Sequence, residues 1–255
     1  MSSLRRAAVA ALALAAALPA LAYLLPATAI LKRLGERRAA LELESLEVRG
    51  TFQAEGPPAD RLAPAGQPRG PGGLLALPAR FLMKVPGRCR LELAPPELPE
   101  AERPFVAVRD GRLTGRGGLD QVPSAVALVR AACALLAAPA AGDAPEAFAA
   151  ALARRGVAVP DVSLGRFDGR IAYVIGGRER DAKPLAFVDK DGFQPLRLIA
   201  AEGPTLEDVR LLGWGSPTGG DWFPRAVEAY EGGALRVRLT TERAVPNPRL
   251  ADALF

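Results

Sequence analysis

Phe81-Leu82-Met83-Lys84-Val85-Pro86-Gly87-Arg88-Cys89-Arg90-Leu91 is the stretch on which the fold turns. Val85-Pro86-Gly87 cannot extend a strand, because proline offers no N–H and glycine permits a sharp reversal. Beyond the turn, Arg88, Arg90 and Glu92 alternate with Cys89, Leu91 and Leu93. A period of two with one apolar face is a half-buried strand. Residues 74–84, before the turn, read as its partner. The segment is therefore an antiparallel pair joined by a tight turn.

The same rhythm continues on both sides. Upstream, Leu46, Val48 and Phe52 alternate with Glu47, Arg49, Thr51 and Gln53. A short amphipathic helix over residues 30–41 leads into that strand, with Ile30, Leu31, Leu34 and Leu41 apolar among basic neighbours. Residues 56–73 hold five Pro and five Gly and read as a mobile loop. Downstream, Asp110-Gly111 between residues 105–109 and 112–115 is a strong hairpin signal.

The middle breaks the alternation. Residues 124–138 are Ala/Leu-rich, without Gly or Pro. Asp143-Ala144-Pro145-Glu146 has a capping residue, a first-turn proline and an acid three positions on, so it starts a helix. That helix should run to Arg155 and stop at Gly156. Strand signals then return. Asp168-Gly169 turns into residues 171–175, and Asp191-Gly192 joins 185–189 to 193–201. Residues 207–214, 222–231 and 234–241 follow, the last two joined at Gly232-Gly233. The reading is mainly β (α+β): an incomplete antiparallel β-barrel of about eleven strands with a helical lid over residues 124–156.

Composition narrows the chemistry. The chain has 255 residues, no histidine and two cysteines. Ser-His-Asp catalysis, His-ligated metals and a four-Cys zinc site are thereby excluded, while metal–carboxylate chemistry and Lys or Tyr catalysis stay open by composition. No metal or other cofactor is expected. Asp189 and Asp191 read as acids of a solvated turn. No phosphate-loop pattern occurs, and no paired-acid motif recommends a hydrolase. The expectation is a non-enzymatic protein.

Arg5 and Arg6 precede an uncharged apolar run from Ala7 to Ala22, and small-residue cleavage motifs follow at Ala20-Leu21-Ala22 and Ala27-Thr28-Ala29. This is the layout of a signal peptide, assigned to residues 1–29, ahead of a single domain over 30–255. A retained N-terminal anchor is the second reading. Removing residues 1–29 lowers the formal net charge from +5 to +3. The basic residues alternate along strands, so nucleic-acid binding is not expected. The expected location is the periplasm. Export into an oxidising compartment permits a Cys89–Cys133 disulfide; two buried free thiols are the other reading.

Residues 81–91, followed by Val108-Arg109-Asp110-Gly111-Arg112-Leu113, resemble the LolA/LolB lipoprotein-carrier superfamily. Its members place a strand, a Lys-x-Pro-Gly/Asn turn, a second strand and an Asp-Gly hairpin in this order. Val188-Asp189-Lys190-Asp191-Gly192-Phe193-Gln194-Pro195 is similar to a later hairpin of the superfamily, and Asn247-Pro248 to Phe255 is similar to its C-terminal segments. The resemblance implies an open barrel of eleven strands, closed on one side by helices, that shelters acyl chains. It implies lipoprotein or lipid acyl chains as partners, with a membrane-protein donor or acceptor, and a monomer. Two departures stand out. The carriers have an Arg where this chain has Val85, which removes a lid latch at that position. They also have aromatics where it has Cys89 and Leu91. A Cys89–Cys133 bond is the alternative pin for the lid.

Strand parity puts Val48, Phe52, Phe81, Met83, Val85, Cys89, Leu91, Leu235 and Val237 on one side. The helix over 124–138 offers Val126, Leu128, Val129, Leu135 and Leu136 as its mate. These residues either form the core alone or also line a pocket between sheet and helices. The second reading makes Leu128, Leu135 and the strand residues ligand-binding. Trp214, Trp222 and Phe223 are read either as an exposed apolar tip or as packing at the barrel edge. Functionally, a periplasmic carrier of acyl chains comes first. A regulatory module of the same fold, sensing lipoprotein or binding a membrane partner, is the alternative.

Overall fold

The computed structural model describes residues 24–62, 69–137, 144–181, 183–202 and 205–255. Most of the proposed leader, the Asp143 cap and part of the proline-rich loop lie outside these residues.

Among the described residues, twelve strands form one antiparallel sheet. Helix α1 (Ala27–Ala39) leads into β1 (Ser45–Ala54), and a short helix α2 (Pro57–Leu62) follows. The residues read as a mobile loop thus include a helical turn, in which Pro58, Ala59 and Leu62 are buried. β2 (Leu75–Lys84), β3 (Arg88–Leu93), β4 (Phe105–Arg109) and β5 (Arg112–Arg116) form a meander. Helices α3 (Pro123–Leu136) and α4 (Ala144–Ala153) come next. A second meander holds β6 (Val162–Phe167), β7 (Arg170–Ile175), β8 (Leu185–Asp189), β9 (Pro195–Glu202), β10 (Thr205–Leu212), β11 (Ala226–Glu231) and β12 (Ala234–Pro246).

The spatial order is β5-β4-β3-β2-β1-β12-β11-β10-β9-β8-β7-β6. Every neighbour is sequential except β1–β12, which join the two meanders, with Phe52 opposite Leu239. β5 and β6 are the free edges, and the chain between them carries α3 and α4. A connection between the edges of a curved sheet has to cross its concave side, so topology delivers the helices there.

Helix α3 is apolar almost all round, and eleven of its residues are buried, including Leu128, Val129 and Leu135. Such a helix is stable only inside a protein. It packs against β3, β4, β10 and β11. The expected lid is therefore also the filling of the barrel. Helix α1 lies against α4, so closely that a Cβ on Gly35 would overlap the Ala144 side chain.

Local turn chemistry explains several boundaries. Asp110-Gly111 and Asp168-Gly169 both have positive φ at the two central positions, the geometry of a tight hairpin. Asp191-Gly192 is different. Positive φ falls on Phe193, and β9 starts only at Pro195, so the turn is a longer loop. Asp189 organises it by accepting the Gly192 N–H at 3.0 Å.

The twelve described strands agree with the reading of an open antiparallel sheet of about eleven strands. One sequence expectation is corrected here: Leu235 does not share a face with Val237. A β-bulge shifts the β11–β12 register so that Tyr230 opposes Leu235 while the adjacent Ala229 opposes Val237. One extra residue in a strand reverses the side on which the following side chains lie. Val237 is 1 % exposed, whereas Leu235, opposite Tyr230, is half-buried.

Candidate functional site

The remaining predicted contact residues come together in one place. Val48, Phe52, Phe81, Met83, Cys89, Leu91 and Leu128 are each 0 % exposed, and Leu135 and Val237 are nearly so. They form a single continuous core with the buried face of α3. Val85 is half-buried at its rim.

Cys89 on β3 and Cys133 on α3 are joined in a disulfide, their Cα atoms 5.6 Å apart. The bond fastens α3 to the concave face. A second tie lies beside it: the Gly87 N–H donates to the Ala137 carbonyl at 2.8 Å, linking the turn after β2 to the end of α3.

The aromatic loop after β10 folds inward. The Trp214 indole N–H donates to the Pro195 carbonyl at 2.9 Å, and Phe223 is fully buried 5.1 Å from the Phe81 ring. These residues are barrel-edge packing, not an exposed tip.

One buried cation went unread at sequence level. The Arg38 side chain enters the interior from α1 and donates to the Leu136 carbonyl at 3.2 Å and the Trp222 carbonyl at 3.1 Å. Burial lowers its pKa to about 10, with Arg37 adding repulsion. The Leu136 carbonyl belongs to the last turn of α3, where the helix dipole favours a cation. Arg38 thus ties α1, the end of α3 and the aromatic loop together. Its place was legible: Ile30, Leu34 and Arg38 recur every four residues on one helix stripe.

The open space lies beside this core. A groove of about 390 Å³ runs between α3, α4 and the tips of the first meander. Val108, Cys133, Ala137 and Phe148 make a buried apolar floor, and Ala134 and Ala151 form half-buried walls. Arg130, Arg154 and Arg155 stand along it, and Pro86, Gly87 and Gly111 close one end. The volume falls in the range of small-molecule sites. Small side chains make the space: α4 presents Ala147 and Ala151, one turn apart, beside Phe148, which leaves a trough over the α3 surface. The alanine-rich run and the Arg154-Arg155 pair were the available sequence signals.

The chemistry of the groove is hydrophobic contact plus guanidinium hydrogen bonding. Among the described residues no group of three potential metal ligands occurs. Asp189, read as an acid of a solvated turn, is instead buried and lies 3.5 Å from Arg170, whereas Asp191 is exposed. No helix among the described residues is long and apolar enough to cross a membrane.

No protein-family profile matches the chain, and no curated protein does either. Solved structures do. A LolA superfamily protein from Nitrosomonas europaea is similar over 91 % of this chain and 97 % of its own, at 14 % identity and a TM-score of 0.46. An outer-membrane lipoprotein-sorting protein domain from Vibrio parahaemolyticus is similar over 89 % and 96 %, at 8 % identity and a TM-score of 0.45. A DUF1329 family protein from Desulfovibrio piger is similar over 90 % and 97 %, at 12 % identity and a TM-score of 0.45. The solved structures that this chain is similar to thus include a LolA superfamily protein and an outer-membrane lipoprotein-sorting protein domain.

Proposed function

We propose that this protein is a periplasmic, non-enzymatic carrier that shelters the acyl chains of a lipid or lipoprotein. The observation that carries the reading is the groove between α3 and α4, with its apolar floor and its three arginines. An acyl chain gains about 0.8 kcal/mol per buried methylene, so ten methylenes gain roughly 8 kcal/mol gross. Arg154, exposed at the groove, complements an anionic or carbonyl-rich head group.

The guest lies along α3, not beneath it. Beneath α3 the space is packed core, and the Cys89–Cys133 bond holds the helix there. Residues Val48, Phe52, Phe81, Met83, Leu91, Leu128, Leu135 and Val237 then support the site from below and meet a longer guest only if α3 moves. Helix α4 is the movable wall, since it packs chiefly on α1.

The test is mild purification followed by solvent extraction and mass spectrometry, with displacement of a fluorescent fatty acid as the binding assay. Copurifying lipid and displacement by added acyl compound are expected. Ala151→Trp, which fills the groove, should abolish binding while the fold persists. Unchanged binding in that variant would place the guest elsewhere.

A further inference from the structure

The turns that close one end of the groove also carry a row of cations on the opposite face. Lys84 pairs with Arg88 across β2–β3, Arg88 with Arg109 across β3–β4, and Arg109 with Arg112 across β4–β5. Four consecutive cross-strand neighbours are therefore basic. With strands about 4.8 Å apart, the row spans roughly 14 Å. Like charges directly opposite each other work against folding unless an anion lies between them.

The chain supplies one such anion itself. Asp252, in the C-terminal segment, bonds Lys84 at 2.5 Å and Arg88 at 2.8 Å. Asp110 lies 3.9 Å from Arg109. The outer half of the row stays in water: the Arg109 side chain is 48 % exposed, and Arg112 is exposed. Pro86, Gly87 and Gly111, which line the groove, sit in the two turns that this row flanks. Arg154 is exposed on the other side of the groove. A cationic row beside the opening of an apolar trough matches a surface that is flat, anionic and the source of acyl chains.

We propose that the row Lys84–Arg88–Arg109–Arg112 docks the groove end of the protein onto an anionic phospholipid bilayer, with Asp252 competing for its inner half. This rests on the carrier reading and names the surface from which the groove is loaded or into which it empties. A bilayer fits better than an acidic protein because the row is a plain charge ladder next to the lipid-sized groove.

The experiment is vesicle flotation of the full chain, using phosphatidylcholine alone or with about one third phosphatidylglycerol. Binding is expected only with the anionic lipid and should fall as salt rises from about 0.05 to 0.5 M. Each basic residue near the surface contributes about a fivefold preference, so R109Q/R112Q should weaken partitioning roughly 30-fold and D252N should strengthen it roughly fivefold. Both changes are on exposed side chains, and thermal melting checks the fold. Equal binding to neutral vesicles, salt-independent binding, or an unchanged R109Q/R112Q would overturn the proposal. So would binding of poly-glutamate without binding of vesicles. Fatty-acid displacement without vesicles reads the groove alone, so failure of the docking surface and failure of the carrier reading give different results.

Discussion

Replacing Cys89 and Cys133 together by alanine tests the element that holds α3 in the barrel. The bond closes a loop with a sequence separation of 44 residues. On the chain-entropy account such a loop restricts the unfolded state by about 13 cal/mol/K, or about 4 kcal/mol at room temperature. At about 2–4 °C per kcal/mol for a domain of this size, the melting temperature should fall by roughly 8–16 °C. Both sulfurs sit in packed core, Cys89 at 0 % and Cys133 at 5 % exposure, so the double variant also loses some packing and the drop should not be smaller than this. Urea unfolding of the oxidised wild type, the reduced wild type and the double variant separates the two contributions. Reduction should destabilise the wild type and leave the variant unchanged. Two alkylatable thiols in native protein from the periplasm, or a reduced protein as stable as the oxidised one, would refute the reasoning.

Four further outcomes are expected. Arg38→Leu leaves the Leu136 and Trp222 carbonyls without their donor; after relief of the buried charge, a net loss of about 2 kcal/mol is expected by denaturant titration, and Arg38→Lys should recover little because one ammonium cannot replace a planar fork. Phe223→Ala should cost about 3–5 kcal/mol, read by the same titration, with the change in Trp214 and Trp222 fluorescence reporting loosening of the loop. Hydrogen bonds from Lys84 and then Arg88 hold the Asp252 carboxyl below its usual value of 3.8, so its contribution to docking the C-terminal segment is complete above that pH and is lost as pH falls through the lowered value, while the bonds from Lys84 and Arg90 to the Leu250 and Leu254 carbonyls persist; faster hydrogen exchange at residues 252–255 at low pH checks this. Ala27 is 5 % exposed in the first turn of α1, so cleavage after Ala22 spares the helix whereas cleavage after Ala29 removes that turn; N-terminal sequencing of exported protein should begin at Tyr23.

Much of the sheet was legible because strand signals are local. Period-two alternation identified β1 and β3, and the Asp-Gly pairs at 110–111 and 168–169 marked two hairpins whose φ values are positive as those turns require. The failures were also local in origin. At Asp191-Gly192 the same dipeptide does not make a two-residue turn, because Asp189 bonds the Gly192 N–H and a five-residue loop forms. At Leu235 a bulge absorbs one residue, and parity counted along the chain then points the side chain to the wrong face. Nothing in the residue types at 234–237 marks that bulge.

The candidate site was harder to read, because a groove is a property of distances between elements. Its floor combines β4, α3 and α4, and its arginines come from α3 and from the turn that follows α4. Apart from Leu235, the apolar strand residues grouped by parity share one buried core, but periodicity cannot say whether the space above them is filled. Here α3 fills it.

By itself, the sequence determined the alternation that makes a meander, the apolar helix that has to be buried, and the absence of histidine chemistry. These follow from nearest-neighbour patterns and composition, which need no folded chain. Tertiary structure alone decided that α3 plugs the barrel, that Cys89 reaches Cys133, that Arg38 meets two carbonyls, and that four basic residues line up across strands. Each depends on how separate elements are brought into register, and that is set by the packing of the whole sheet around its helix.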